Sequence, residues 1–426
     1  MSLIDVVGEN PKIIIYLEFR IQLFYQIMHN GYVGIELQLR NNDKIRKIIA
    51  EVICVLCDAK KRHEYNEIND IRLQQDFKGY TFSNFKKTDV KKELIENLKK
   101  GKIEQSCYWS AEFVCSGHYG DLWDIIIDFF SKYIHIGNPK IISYLEMRIE
   151  IFKNILNNGY TSIELQLRNN QKIRRLFAEV ICVLCDSKKR HSYSEIKVKQ
   201  EDFDLTYMTE RFKAPNISYA EPIFLKDDPK ELFIASNEFA YNISEESKNS
   251  VGACYWMEWI IQFENICKYK KEKCQCERRM FAQVDPKLQM EIIWILWDIF
   301  LNESSKRNNL IQKLINSALK IFCLKYTSRC YKKRRYIMYF VIEILTEQYQ
   351  MNEPIVKEED KQKIEIVLNN INTIYRQIKK NEITPNTEYL FNGLNGNNLR
   401  NTIAKLEQMN LISEDFTPRL DSSNNS

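Results

Sequence analysis

The chain has 426 residues and a net charge of +5, and 44% of its residues are hydrophobic and 12% aromatic. This composition is typical of globular proteins and excludes a disordered chain, while the mild positive charge permits contact with nucleic acid without requiring it. Only 12 Gly and 9 Pro interrupt the chain, and no apolar run is long enough to cross a bilayer, so the sequence predicts long helices, an all-α fold and no membrane contact.

The first feature along the chain is an internal duplication. Residues 10–68 align without gaps on residues 138–196, at a constant offset of 128 residues, and about seven positions in ten are identical. This repeat is longer than the roughly 20 to 50 residues of a solenoid unit. We therefore expect an irregular multi-helix array that contains an internally duplicated helical module.

Each copy of the module predicts one strongly amphipathic helix. Apolar side chains recur at i, i+3, i+4 and i+7 from Ile45 to Leu56, and again from Ile173 to Leu184. An Asn-Asn pair precedes each stripe and can accept the free N–H groups of the first turn. In the second copy, we expect the preceding helices that carry Trp109 and Trp123 to cover the stripe.

The first copy is expected to be truncated. A Cys-Tyr-Trp motif at Cys107 to Trp109 precedes the second copy and recurs at Cys254 to Trp256, but the first copy begins near residue 10 with no such helix before it. An apolar stripe left in water is unfavourable. We therefore expect other parts of the chain to cover it, with self-association as the alternative.

The rest of the chain predicts a proline-containing connection followed by further helices. Asp285-Pro286 is a typical helix start, and the helix that follows is apolar almost all round from Ile292 to Phe300, so we expect it to be central and buried. Residues 310–325, 336–349 and 364–378 also predict helices. The expected organisation is a truncated first copy (1–68), a linker (69–90), Tyr-Trp helices plus the second copy (91–196), a connection and helix (197–245), a C-terminal helical domain (246–350), a helical and Asn-rich extension (351–420) and a disordered tail (421–426).

The chain lacks the sequence signatures of common catalytic sites. It has no phosphate-binding P-loop, no dinucleotide-binding glycine fingerprint, no H-E-x-x-H, no G-x-S-x-G and no kinase motif set. We therefore expect a protein that is not an enzyme and has no cofactor.

The 12 cysteines are expected to be free thiols in a reducing compartment. Cys54 and Cys57, like their counterparts in the second copy, lie in apolar helical runs, which favours burial over metal binding. A charged segment further along offers better metal ligands, but the fourth ligand that zinc requires is not evident. We predict no bound metal and name Cys267, Cys274 and Cys276 as the weak candidates.

Cationic clusters interleaved with tyrosines form the remaining candidate site. Such sets bind phosphate backbones, and the aromatic rings can stack on bases. The alternative is a solvated surface or the end of a helix, where cations complement the helix dipole, and the first two clusters do follow predicted helix ends. The candidate nucleic-acid contacts are Lys60, Lys61, Arg62, Lys188, Lys189, Arg190, Arg278, Arg279, Lys332, Lys333, Arg334 and Arg335.

Five short motifs, at residues 107–112, 135–140, 167–170, 210–215 and 274–279, together resemble an uncharacterised protein family of the nucleocytoplasmic large DNA viruses. The likeness covers about residues 91–350, and the Lys-, Asn- and Ile-rich composition suits an AT-rich viral genome. The extra module at residues 10–68 departs from the family pattern. The resemblance implies a viral protein of the host cytoplasm, in viral factories, or of the virion, and it brings no known activity.

A second, shorter pattern consists of Gly101, Tyr108-Trp109-x-Ala111, Gly117 and the segment Ile136 to Pro139. It is similar to the helical collar domain of RarA/MgsA-type AAA+ ATPases, which are relatives of clamp loaders. The catalytic motifs of that family have no counterpart here. The resemblance therefore implies an oligomeric helical collar and no catalytic residue.

These observations lead to two functional hypotheses. The first is a non-enzymatic helical scaffold that acts as an accessory factor in viral genome replication or repair, binding viral replication proteins and nucleic acid. The alternative is a virion structural or assembly protein, in which the duplicated module serves contacts between copies of the chain.

Overall fold

The computed structural model describes residues 72–157, 167–190, 193, 196–328, 330–350 and 353–379, with short helical stretches at 19–22, 24, 45–50 and 52. Within these residues the chain consists of α-helices joined by turns, and its β structure is limited to one bridge between Tyr80 and Lys86. The prediction of an all-α, multi-helix fold is confirmed.

Connections of three to 23 residues separate successive α-helices of the described residues, and one continuous cluster of buried apolar side chains joins them. A π-helical turn at Phe130–Ile134 and 3-10 turns at His135–Gly137, Gln200–Phe203 and Pro286–Leu288 lie between them. The α-helices of the described residues are α1 (Lys87–Lys99), α2 (Ile103–Cys115), α3 (Tyr119–Phe129), α4 (Ile141–Asn157), α5 (Gln171–Asp186), α6 (Leu205–Thr209), α7 (Phe233–Ile243), α8 (Ser250–Tyr269), α9 (Ile293–Ser305), α10 (Asn309–Cys323), α11 (Tyr331–Thr346) and α12 (Glu358–Lys379).

The second copy of the module contributes α4 and α5. Asn170 is the N-cap of α5, where its side-chain oxygen accepts hydrogen bonds from the backbone N–H groups of Lys172 (2.9 Å) and Ile173 (3.2 Å). The six residues of the predicted stripe are buried, and α2 and α3 pack over it, with the rings of Trp123 and Phe177 5.1 Å apart. The expected cover of this stripe is confirmed.

Only part of the first copy is described. Residues 45–50 are helical, and Ile45 and Ile48 are buried, whereas Ile49 is 49% exposed. The start of the apolar stripe in the first copy is therefore only partly covered, at Ile45 and Ile48 but not at Ile49. Val52 is half-buried, and Ile53, Leu56, Cys54, Cys57 and the C-terminal tail lie outside the described residues.

The prediction that Asp285-Pro286 opens a long helix is wrong in its bounds. Asp285 accepts a hydrogen bond from the backbone N–H of Lys287, but it caps only the 3-10 turn at Pro286–Leu288. The α-helix begins at Ile293, after a turn in which the indole of Trp294 donates to the Leu288 carbonyl (2.6 Å). Its predicted central position is confirmed, because Trp294 and Trp297 are fully buried.

Two local arrangements recur along the chain. The segments at Gln74–Phe77 and Gln200–Phe203 are both 3-10 turns in which the third residue, an Asp, accepts a hydrogen bond from the backbone N–H that precedes the turn. In both Cys-Tyr-Trp helices the neighbouring Tyr and Trp rings are edge to face at 5.3 Å. The sequence likeness between the two Cys-Tyr-Trp segments therefore extends to their local geometry, and the two 3-10 turns share a local geometry as well.

Gly137, in the turn after α3, packs closely against the segment that follows α5. A Cβ atom at Gly137 would lie 2.6 Å from the Lys188 carbonyl oxygen, and the backbone on both sides is fixed, since the Arg190 N–H donates to the Tyr133 carbonyl. We expect Gly137→Ala to lower the free energy of unfolding by about 1–3 kcal/mol in a urea titration. Gly120→Ala is the control, because its Cβ would meet nothing within 4 Å; an equal loss in both variants would contradict the packing argument.

Candidate functional site

A cleft of about 730 Å³ lies between α3 and the first turn of α11, bordered by the start of α1, the end of α4 and the loop before α11. Its walls carry far more positive than negative charge. The carboxylates, Asp121, Asp124 and Asp128, follow one another along α3. The cations are Lys87, Lys91, Lys132, Lys153, Lys325, Lys332, Lys333 and Arg334.

The three carboxylates of α3 are each engaged by a cation of the cleft. Lys87 contacts Asp121 at 2.7 Å and Lys132 contacts Asp128 at 3.1 Å. Arg334 lies 3.7 Å from Asp124. Burial raises the pKa of Asp124, and the nearby positive charge of Arg334 opposes this rise. The carboxylates therefore neutralise part of the positive charge and leave a surplus.

The surplus charge belongs to lysines that are not held in an ion pair. Among the described residues, Lys91, Lys325, Lys332 and Lys333 form no ion pair within 4 Å. Lys325, Lys332 and Lys333 are exposed, and they lie in the loop before α11 and in its first turn. The cleft can therefore attract an anion with lysines whose ammonium groups are not held by a carboxylate within 4 Å.

Lys332 and Lys333 lie in the first turn of α11, a position in which their positive charge destabilises the helix. Free backbone N–H groups give a helix N-terminus partial positive charge, so cations there are destabilising. The N-cap residue of α11, Cys330, contributes no side-chain hydrogen bond that would offset the charge of Lys332 and Lys333. The alternative explanation, that a cationic cluster complements the dipole at the end of a helix, therefore does not apply to Lys332 and Lys333.

The cluster after α5 fits the dipole explanation instead. The ammonium group of Lys189 donates to the carbonyl of Cys185 in the last turn of α5, and burial lowers the pKa of Lys189. The backbone N–H of Arg190 donates to the Tyr133 carbonyl. Lys188 is exposed, but none of the three residues lines the cleft. A role in ending the helix accounts for Lys189 without a ligand.

The prediction that Arg279 contacts nucleic acid is wrong, because its side chain is buried. Its guanidinium donates to Asp228 (2.6 Å) and to Asp298 (2.8 Å), and the Arg279 side chain is 3% exposed. Arg278 beside it is exposed and donates to the Gln289 side chain (2.6 Å). Arg279 thus forms ion pairs in the protein interior, and Arg278 does not line the cleft.

Arg335 also departs from the prediction. Its guanidinium lies 3.6 Å from Glu258, a buried residue of α8 that also accepts a hydrogen bond from Tyr339, and it does not line the cleft. The cluster at the start of α11 is therefore divided, with Arg335 on the interior side and Lys332, Lys333 and Arg334 on the cleft. The candidates Lys60, Lys61 and Arg62 lie outside the described residues.

The cysteines named as weak metal candidates do not form one group. Cys267 and Cys274 are neighbours, whereas the Cys276 thiol donates to the Glu291 carbonyl (3.2 Å), and burial raises the pKa of Cys276 to about 12. In the described ranges, no three His, Cys, Asp or Glu side chains are arranged to hold a metal ion. The Cys276 thiol therefore stays protonated at neutral pH and packs as a small apolar group.

Sequence reasoning found three of the eight cations of the cleft and missed the others. Lys132, Lys153 and Lys325 are single cations in the sequence, and Lys87 and Lys91 belong to the Lys-Lys pairs at 86–87 and 91–92. The five come from four different elements. Only the tertiary fold brings them beside α11, so no local pattern could have identified them.

No family model, curated protein or solved structure matches this chain. Among its described helices, none is both long and apolar enough to cross a bilayer.

Arg279 and Arg278 provide a matched test of charge in the interior and at the surface. We expect Arg279→Ala to lower the free energy of unfolding by about 3–5 kcal/mol, because it leaves Asp228 buried without its counter-charge. Removing both charges in Asp228→Ala/Arg279→Ala should recover part of this loss, and Arg278→Ala should change stability by less than about 0.5 kcal/mol. Chemical denaturation measures all three; equal effects of the two single arginine variants would contradict the assignment.

Proposed function

We propose that this chain is a non-enzymatic helical scaffold that binds the phosphate backbone of nucleic acid in the cationic cleft and serves as an accessory factor in viral genome replication or repair. The observation that carries the proposal is the exposed pair Lys332 and Lys333 at the N-terminus of α11, in a cleft whose carboxylates are already engaged.

Phosphate is the anion that this arrangement suits best. The cations come from several elements around the cleft, so they can contact successive phosphates of a backbone better than a single small anion. The helix N-terminus adds partial positive charge to the lysines that follow it. An anion that binds there would also relieve the repulsion between the cations and the helix dipole.

The accessory role rests on the two resemblances and on the absence of catalytic motifs. Within the described residues, the buried acids are engaged in contacts that hold helices and turns together. Glu112 accepts hydrogen bonds from the backbone and side chain of Ser83, and Glu238 accepts from the backbone N–H groups of Lys213 and Ala214. This supports a scaffold over an enzyme. The virion hypothesis remains the competing outcome of the experiment below.

The salt dependence of binding tests the proposed function. We expect a short DNA duplex or single strand to bind with an affinity that falls steeply with salt. The variant Lys332→Ala/Lys333→Ala should lower the log–log slope by about one unit for each phosphate that the protein no longer neutralises. Fluorescence anisotropy at several salt concentrations measures this slope.

The control for this experiment is Lys270→Ala/Lys273→Ala, which removes the same charge from an exposed segment outside the cleft. Equal effects of the two variants would indicate a non-specific charge effect and contradict a site in the cleft. Absence of any nucleic-acid affinity, together with recovery of the protein from purified virions, would favour the structural role instead.

A further inference from the structure

Aromatic side chains line the cleft beside the cations. Tyr119 and Trp123 of α3 and Phe152 of α4 form one cluster, with ring centroids 5.4 Å apart for Tyr119 and Phe152 and 6.0 Å apart for Trp123 and Phe152. On the opposite side, the Lys132 ammonium lies 4.4 Å from the centre of the Tyr336 ring. Phosphate-binding and ring-binding groups therefore share one cleft.

Trp123 carries a hydrogen-bond donor that the described residues leave without a partner. Its side chain is 4% exposed, and its indole N–H meets no acceptor. A buried donor without a partner is unfavourable, so an acceptor that reaches it is stabilising. Trp109 and Trp297 also have unpartnered indoles, but both are fully buried and neither lines the cleft. Of these three tryptophans, only Trp123 combines an unused donor with a place in the cleft wall.

We infer that the cleft binds single-stranded nucleic acid and encloses an unpaired base beside Trp123, an inference that rests on the proposed function. The base carbonyl or ring-nitrogen acceptors are partners for the Trp123 N–H, and Tyr119 offers aromatic surface. The lysines of the α11 N-terminus then hold the adjoining phosphates. A volume of about 730 Å³ lies in the range of clefts that enclose a compact organic group.

A duplex does not fit this arrangement. Paired bases remain stacked inside the helix and present only their edges in the grooves, so they cannot enter a cleft between α3 and α11. A duplex could contact only the exposed lysines at the rim. The cleft should therefore discriminate between strands by the presence of an accessible base, whereas the lysines alone would respond only to the number of phosphates.

The test compares a short thymidine oligonucleotide with an abasic strand that has the same number of phosphates, using fluorescence anisotropy and the full chain. We expect the thymidine strand to bind at least about fivefold more tightly, because each base contact with an aromatic side chain is worth about 1–3 kcal/mol. Trp123→Phe, which removes the N–H and keeps an aromatic ring, should weaken thymidine binding by about two- to tenfold. It should leave the binding of the abasic strand and the salt slope unchanged.

Trp297→Phe is the matched control, since it removes another unpartnered indole N–H that does not line the cleft. Equal affinity of wild-type protein for the two strands would overturn the inference and leave the proposed function standing. A decrease that Trp123→Phe causes equally for both strands would also overturn it. If neither strand binds, the proposed function itself fails. The comparison of strands uses the wild-type protein, so it decides the question even if Trp123→Phe does not fold.

Discussion

Helix α11 must be buried over most of its length although it begins with four consecutive cations. Residues 337–342 and 344–346 are buried, and the buried Tyr331 donates to Glu264 of α8. The first turn of α11 is therefore held against the protein, and each of its cations must either pair with another group or remain exposed to water. Arg334 donates to the Phe322 carbonyl (2.7 Å), and Arg335 approaches Glu258. The two lysines that remain extend into the cleft and give it its surplus charge.

The same constraint operates elsewhere in the described residues, where buried polar and charged side chains are paired across elements. His135 lies 2.8 Å from Glu343, which also accepts a hydrogen bond from Tyr193 (2.7 Å). Arg279 occupies a comparable position with Asp228. Losing one partner of such a pair costs more than the pair itself contributes, so these charges are committed to the fold. The cleft differs because its lysines exceed its carboxylates, and binding of an anion there requires no structural pair to break.

Helical periodicity was sufficient to predict much of the fold. It located α5, α10, α11 and α12 and the burial of the α5 stripe, because the spacing of apolar residues directly reflects which face of a helix is covered. It could not place the start of α9, since a capping Asp and a Pro open a 3-10 turn as readily as an α-helix. Most of the cleft could not be predicted from the sequence, because a run of cations does not reveal which side chain faces inward. Arg279 and Lys332 both belong to short cationic runs, yet Arg279 is buried and Lys332 is exposed.

The central claim is that nucleic acid lies between α3 and the first turn of α11. The most direct measurement is photo-crosslinking of a thiothymidine-containing single strand to the intact chain, followed by identification of the modified peptides by mass spectrometry. The claim predicts that cross-links concentrate in the segments 119–132 and 324–337, which contribute most of the residues that line the cleft, and that they disappear in excess unlabelled strand. Cross-links concentrated in the exposed cationic segment 269–273, with none in the two cleft segments, would contradict it.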